Sequence, residues 1–166
     1  MFVRMRPSLV AAGLAVLSIC CGADASPDSG LLVHTDSGPV LGFRHDGVRE
    51  FRAIPYAAST AGDKRWTPPA PPEPWTEVRD ATQYRHGCPQ VVRFDVTEAS
   101  ENEDCLHLNI AVPDSAPART PVLVWVHGGA WVGGSNDIYA IDHLARETGL
   151  VVVAINYRLE IGRAHV

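Results

Sequence analysis

Runs of apolar residues separated by turn-forming residues divide most of this chain into short strands. Over Leu31 to Phe51, short apolar pieces alternate with turn residues, which predicts a small antiparallel meander. Further strands are predicted at Leu106 to Val112, Val122 to Val126 and Leu150 to Ile155. The last two are so uniformly apolar that we expect both of their faces to be covered, as in a sheet buried between helices.

One segment between the second and third of these strands has helical spacing. Its apolar residues predict a helix from about Ile138 to Thr148, with Asn136 or Asp137 as the N-cap and Gly149 as the stop. Strand, helix and strand in succession imply a parallel pair with a right-handed crossover. The pattern therefore predicts an α/β protein in which a small antiparallel edge sheet leads into a mostly parallel central sheet.

A proline-rich segment separates the meander from the later strands. Five prolines between Pro68 and Pro74 fix their φ angles and lack N–H donors, so this segment cannot enter the interior of a sheet. We predict an extended surface loop, which the flanking Trp66 and Trp75 pin to the core.

Length and charge narrow the class of protein. With 166 residues the chain can form one domain with a real core, and its composition is that of an ordinary globular protein. The net charge of −5 and the scattered arginines provide no basic patch, so nucleic-acid binding is not expected.

The first 25 residues have the pattern of an export signal. Two arginines precede an apolar stretch from Leu9 to Ile19, and small residues up to Ala25 offer a cleavage site. We predict cleavage after Ala25 and a secreted or periplasmic protein without a stable membrane partner, since the apolar run is too short to span a bilayer comfortably. Two alternatives remain open, an uncleaved anchor and a lipoprotein acylated at Cys20 or Cys21.

Cleavage would leave two cysteines, Cys88 and Cys105. An exported chain with two cysteines predicts one disulfide, and the alternative is a pair of buried free thiols. Closing a loop of about 16 residues would stabilise the fold by roughly 3 kcal/mol.

The most informative segment for chemistry follows the strand at Val122 to Val126. This strand ends in His127-Gly128-Gly129-Ala130, and residues without a large side chain let the backbone N–H groups approach a substrate. Such N–H groups can stabilise the oxyanion that forms during acyl transfer. The alternative interpretation is a tight turn without a catalytic role.

Three further segments accompany this one: Phe51-Arg-Ala-Ile-Pro-Tyr-Ala57, Glu103-Asp-Cys-Leu-His-Leu-Asn-Ile110 and Asn156-Tyr-Arg-Leu159. Together the four segments resemble the type-B carboxylesterase family of α/β-hydrolases, over about Val33 to Leu159. The sequence contains no Gly-x-Ser-x-Gly nucleophile elbow. The resemblance therefore implies that residues 26–159 are the incomplete N-terminal portion of an α/β-hydrolase fold.

The same resemblance implies the function. The whole protein is expected to be a secreted carboxylic-ester hydrolase that acts on a small-molecule ester through a serine acyl-enzyme, with no metal or organic cofactor. This chain would supply the oxyanion hole but no member of the Ser-His-Glu/Asp triad, and so would be inactive by itself. The alternative is a non-catalytic binding or adhesion relative, which keeps the fold without the nucleophile.

The resemblance also assigns roles to individual residues. Gly129 and Ala130 would supply two oxyanion N–H groups, while His127 would be structural. Other assignments concern contacts that hold the fold. They are a disulfide from Cys105 to an upstream cysteine, an ion pair between Arg65 and Glu103, and an acidic partner for Arg158 further along the family's chain.

The last seven residues, 160–166, depart from the family pattern and read Glu-Ile-Gly-Arg-Ala-His-Val. A common sequencing adapter preceded by a single G, GAGATCGGAAGAGCACACGTCTGA, translates as these residues followed by a stop codon. We expect residues 160–166 to be non-native read-through, and we exclude them from fold reasoning. Resequencing the locus tests this, because a genomic stop codon directly after Val166 would contradict it.

Overall fold

The computed structural model describes residues 31–91 and 98–159. The predicted signal segment, 1–25, and the predicted read-through, 160–166, lie outside the described residues. The elements in chain order are β1 (Leu32–His34), β2 (Pro39–Leu41), β3 (Phe43–His45), β4 (Val48–Pro55), a 3₁₀ turn (Gly62–Lys64), β5 (Arg79–Asp80), β6 (His107–Pro113), β7 (Val122–Val126), α1 (Ile141–Thr148) and β8 (Val151–Ile155). Nowhere in these two ranges is there a helix long and apolar enough to cross a membrane.

These strands form two sheets within the described residues. A small sheet has the order β1-β2-β5, and a central sheet has the order β3-β4-β6-β8-β7. The predicted parallel pair is confirmed, since β7 and β8 run parallel with Val122 opposite Val151 and Val126 opposite Ile155. The other three pairs of the central sheet are antiparallel, so parallel pairing begins only at β8.

The predicted meander is divided between the two sheets. Strands β1 and β2 pair in the small sheet, whereas β3 and β4 pair in the central sheet. The chain crosses from one sheet to the other at Gly42, where an added Cβ would lie 2.3 Å from the Glu50 carbonyl oxygen. Backbone approach this close leaves no space for a side chain, which explains a glycine at the crossing.

A bulge interrupts the pairing of β4 with β6 between Phe51 and Ile54. Ala53 has a φ of 55° at this point, and its N–H donates to the Asn109 side-chain oxygen at 2.9 Å. A bulge leaves a backbone group without its ladder partner, and here a side chain on the neighbouring strand replaces it.

The core lies on both faces of the central sheet. On one face, Ile141 and Ala145 of α1 pack against Val152 and Ala154 of β8. On the other face, Phe51 and Ile54 of β4 pack with Val40 and Ala81 from the region of the small sheet. The central sheet therefore joins two apolar layers.

The helix α1 begins three residues later than predicted. Its N-cap is Ala140, which makes no side-chain capping bond, so the prediction of Asn136 or Asp137 as the cap is wrong. Both side chains are engaged elsewhere, Asn136 with buried carbonyls and Asp137 with the Ser135 hydroxyl. The predicted stop is confirmed, because Gly149 has a φ of 70° and its N–H donates to the Ala145 carbonyl.

The proline-rich segment contains no strand or helix, as predicted. Trp75 pins it as expected, because its indole N–H donates to the Pro39 carbonyl at 2.9 Å. The prediction for Trp66 is wrong, since this side chain is 63% exposed and lies beside the Arg65 guanidinium instead of in the core.

The predicted disulfide joins Cys88 and Cys105 in the structure, with a Cα–Cα distance of 4.9 Å. Both cysteines are buried and pack with Ala57, Leu106 and Leu159. The bridge therefore holds the residues just before β6 in a small apolar cluster that is separate from the two described above.

Strand β7 is one of the two edge strands of the central sheet within the described residues. Val122, Val124 and Val126 are 56–59% exposed, so the expectation that both faces of β7 are covered is wrong for the described residues. An apolar strand with an unpaired edge can pair with another copy of itself.

We predict that residues 26–159 expressed alone aggregate through β7. A Val124→Lys substitution should increase the soluble fraction, because a charge on an edge strand opposes strand pairing. The matched control is Ser115→Lys, which adds the same charge on an exposed turn. Light scattering and the soluble fraction after centrifugation measure the effect. A soluble, cooperatively melting monomer without either substitution would contradict the prediction.

Candidate functional site

The predicted oxyanion segment forms a tight loop after β7, residues 128–134, which we call the glycine loop. Its backbone is left-handed at Gly129 (φ 125°), Ala130 (φ 53°) and Trp131 (φ 61°). The loop closes on itself, since the N–H groups of Val132 and Gly133 both donate to the Gly129 carbonyl, at 3.0 and 3.2 Å. Left-handed backbone is costly for alanine and tryptophan, so this conformation is held by its surroundings.

Two glycines make this closure possible. A Cβ on Gly129 would lie 1.8 Å from the Gly133 carbonyl oxygen. A Cβ on Gly134 would lie 2.3 Å from Nδ1 of His127 and 2.4 Å from the Gly128 carbonyl oxygen. Side chains at either position would force the loop open, so its shape depends on both glycines.

The N–H groups of Gly129 and Ala130 have no hydrogen-bond acceptor among residues 31–91 and 98–159, and both residues are exposed. The preceding N–H group is occupied, since Gly128 donates to the Tyr139 hydroxyl oxygen at 3.2 Å. Two adjacent donors in a closed loop are thus available to an external acceptor, which is the arrangement that oxyanion stabilisation requires.

His127 is buried beneath the glycine loop instead of facing the surface. Its ring stacks on Tyr157 with centroids 4.3 Å apart, and the Tyr157 hydroxyl donates to the His127 carbonyl. The Nδ1 atom lies 2.9 Å from the Gly128 carbonyl, which can only accept, so Nδ1 carries the hydrogen. Burial lowers the pKa of His127, which favours the neutral ring. These contacts suit a structural role.

A network of buried asparagines, which the sequence patterns did not indicate, anchors the segment that follows the glycine loop. Asn136 donates to the carbonyls of His107 and Ala154, and its own N–H donates to the Asn156 side-chain oxygen at 2.8 Å. Asn109, the residue that satisfies the β4 bulge, also donates to the Asn136 carbonyl. The network thus joins the segment after the glycine loop to β6 and β8.

The ion pair expected of Arg65 and Glu103 is present in the structure, although these residues lie on loops about 40 positions apart in sequence. Glu103 is mostly buried and also accepts from the Gly62 N–H at 3.0 Å. Arg158 donates to the carbonyls of Arg65 and Thr67, at 3.0 and 2.9 Å. The three predicted charged residues therefore meet around one small cleft, which Cys105 of the disulfide also lines.

The model of the carboxylesterase family matches residues 29–161. This chain belongs to the carboxylesterase family, whose α/β-hydrolase fold explains the central sheet described above.

Curated relatives include the para-nitrobenzyl esterase of Bacillus subtilis (strain 168), 40% identical over 77% of this chain and 27% of that protein. The phenmedipham hydrolase of Pseudarthrobacter oxydans is 40% identical over 77% of this chain and 28% of its own length. The fumonisin B1 esterase of Sphingopyxis macrogoltabida is 37% identical over 95% of this chain and 33% of its own length. The chain thus spans between a quarter and a third of these relatives.

Solved structures of related proteins share the fold. A thermophilic para-nitrobenzyl esterase superposes with a TM-score of 0.75, at 38% identity over 81% of this chain and 29% of that chain. A second para-nitrobenzyl esterase gives 0.70, at 40% identity over 77% of this chain and 27% of that chain. The described strands therefore form part of an α/β-hydrolase fold, as predicted.

We predict that Glu103→Gln lowers the free energy of unfolding of the complete gene product by about 2 kcal/mol. The substitution leaves the Arg65 guanidinium without its charged partner and weakens the bond from Gly62.

Asp104→Asn is the matched control for this measurement. Asp104 is the adjacent carboxylate, but it is half exposed and lies 4.0 Å from Arg85, so its loss should cost about 0.5 kcal/mol or less. Urea unfolding curves measure both variants. Equal losses from the two substitutions would contradict a specific role for the buried carboxylate.

Proposed function

We propose that this chain is the N-terminal part of a secreted carboxylic-ester hydrolase and that it supplies the oxyanion hole of the whole enzyme. One observation carries the proposal, namely the pair of exposed N–H groups without an acceptor, Gly129 and Ala130, on a closed loop at the carboxyl end of a parallel strand. Membership of the carboxylesterase family and relatives that are all named as esterases or hydrolases support it. The non-catalytic alternative is not favoured by these relatives.

The chemistry follows from the availability of these N–H groups to an external acceptor. A serine hydroxyl attacks the ester carbonyl carbon, the carbonyl π electrons move to its oxygen, and a base takes the serine proton. The N–H groups of Gly129 and Ala130 donate hydrogen bonds to the oxyanion, which collapses to an acyl-enzyme as the base gives its proton to the oxygen of the departing alcohol. Water attacks the acyl-enzyme in the same manner and releases the acid.

The serine, the histidine and the acid of this scheme are assigned to residues that follow this portion of the protein. His127 does not take the part of the base, because it is buried and stacked beneath the loop. Without the serine nucleophile no acyl-enzyme can form, whatever the quality of the oxyanion hole. We therefore propose that residues 26–159 alone are inactive.

Export is part of the proposal. It is supported by the signal pattern in residues 1–25 and by a disulfide, which persists in oxidising compartments. We expect N-terminal sequencing of the exported protein to begin at Ser26, as cleavage after Ala25 requires.

The proposed function is tested by comparing the complete gene product with residues 26–159 on para-nitrobenzyl acetate. This ester is chosen because the relatives include para-nitrobenzyl esterases. We expect hydrolysis by the complete product, inhibited by a fluorophosphonate that modifies serine, and none by the shorter protein. Hydrolysis by residues 26–159 above a heat-killed control would overturn the proposal. So would activity of the complete protein that the fluorophosphonate does not reduce.

We predict that Ala130→Pro lowers kcat of the complete enzyme by roughly two to three orders of magnitude, because proline has no N–H to donate and its ring excludes the positive φ of this position. Ala130→Gly is the matched control, since it keeps the N–H and adopts a φ of 53° more easily than alanine does. A thermal melt of each variant separates a change in the loop from unfolding. A folded, fully active Ala130→Pro enzyme would remove this residue from the oxyanion hole.

A further inference from the structure

The side chain of Gln90 reaches the glycine loop from the disulfide-bonded segment. Its Oε1 accepts from the Gly134 N–H at 2.8 Å, and its Nε2 donates to the Gly134 carbonyl at 3.0 Å. The same Nε2 donates to the Cys88 carbonyl at 3.2 Å. The reverse orientation of the amide would place donor against donor and acceptor against acceptor, so the contacts fix its direction. Gln90 thus binds both polar groups of one loop residue.

The backbone of Gln90 is itself held in place. Its N–H donates to the Ser100 carbonyl at 2.8 Å, and the Ser100 N–H donates back at 2.9 Å. Cys88, two residues earlier, is bonded to Cys105. The side chain is only 8% exposed, so its bonds to Gly134 form away from competing water. Gln90 therefore presents a fixed amide to the loop.

Gly134 is the residue through which a change at Gln90 would reach the start of the loop. It has a φ of 122° and lies against His127 and the Gly128 carbonyl so closely that no Cβ could fit. Gly129, in turn, lies against the carbonyl of Gly133. A displacement of Gly134 would therefore be transmitted to Gly128 and Gly129 by direct backbone contact.

We propose that Gln90 is a positioning residue for ester hydrolysis, which clamps Gly134 so that the N–H groups of Gly129 and Ala130 stay directed at the oxyanion. This inference rests on the function proposed above. Gln90 touches neither substrate nor nucleophile in this scheme and acts only through the loop. The oxyanion forms in the transition state, so loss of the clamp reduces kcat while KM changes little.

The test uses the complete enzyme with Gln90→Leu, which keeps the approximate size of the side chain and removes its amide. The matched control is Gln83→Leu, because Gln83 is exposed and its amide contacts only the Thr82 hydroxyl within the described residues. We measure kcat and KM on para-nitrobenzyl acetate, together with the affinity for a trifluoromethyl ketone, which forms a tetrahedral oxyanion on the serine.

For Gln90→Leu we expect kcat to fall by roughly 10- to 100-fold and ketone affinity to fall in parallel, with KM within about twofold. Gln83→Leu should behave as the unmodified enzyme. A folded Gln90→Leu enzyme with unchanged kcat, or with a change confined to KM or to the melting temperature, would overturn the inference. Absence of serine-dependent hydrolysis in the unmodified protein would instead overturn the proposed function.

A second variant keeps the inference testable if Gln90→Leu does not fold. In Gln90→Glu, the protonated carboxyl can both donate to and accept from Gly134, whereas the ionised carboxylate can only accept. The ratio of its kcat to that of the unmodified enzyme should therefore rise as pH falls through the pKa of the introduced carboxyl. A ratio that does not change with pH would contradict the clamp.

Amide hydrogen exchange in the unmodified protein gives a third measurement that needs no activity. The Gly134 N–H should exchange slowly because it is bonded to the buried Gln90 side chain. Exchange at the rate of an unprotected loop amide would show that no clamp exists.

Discussion

A buried backbone amide or carbonyl must find a hydrogen-bond partner, and this requirement determines how the region around β6 is built. The His107 carbonyl, at the start of β6, accepts from the Asn136 side chain and from the Asn156 N–H. Asn136 also reaches the Ala154 carbonyl at the end of β8. The Asn136 side chain and the Asn156 backbone N–H thus complete the ends of two neighbouring strands. These hydrogen bonds hold the segment after the glycine loop and the Asn156-Tyr157-Arg158 segment against the two strands.

The glycine loop combines backbone N–H groups that are bonded within the protein with N–H groups that are exposed. Its first N–H is bonded to Tyr139 and the N–H of Gly134 to Gln90, while those of Gly129 and Ala130 have no acceptor in the described part of the chain. Both residues are exposed, so water or a bound substrate can accept from these N–H groups. The anchors at both ends hold the loop in a strained backbone conformation, and this is the situation expected where strain serves a function.

Sequence patterns located the strands well because strand formation here follows local apolar runs. β7 has the predicted bounds, β6 begins and ends one residue later than predicted, and β8 begins one residue later. The helix start was misplaced because Asn136 bonds to the carbonyls of distant strands and Asp137 to the nearby Ser135 hydroxyl, so neither side chain serves as the cap. The family resemblance supplied the pairing of Arg65 with Glu103, which no local pattern could have given.

Gln90 and the buried asparagines escaped prediction for a related physical reason. An amide side chain that binds a backbone many positions away leaves no periodic signal, since its partners are main-chain atoms common to every residue. Gln90 and Gly134 are 44 positions apart, and neither belongs to a strand or helix. Only the folded arrangement shows that one amide faces two polar groups of a single glycine.

The position of the disulfide has a consequence for chain topology. Strand β4 ends at Pro55 and its partner β6 begins at His107, immediately after the bridged Cys105. The bridge shortens the path between these strands from about 50 residues to about 35, which lowers the closure cost by only about 0.3 kcal/mol because that cost grows with the logarithm of length. The loop-closure cost of pairing β4 with β6 is therefore almost independent of the oxidation state of the cysteines. The bridge mainly restricts its own loop.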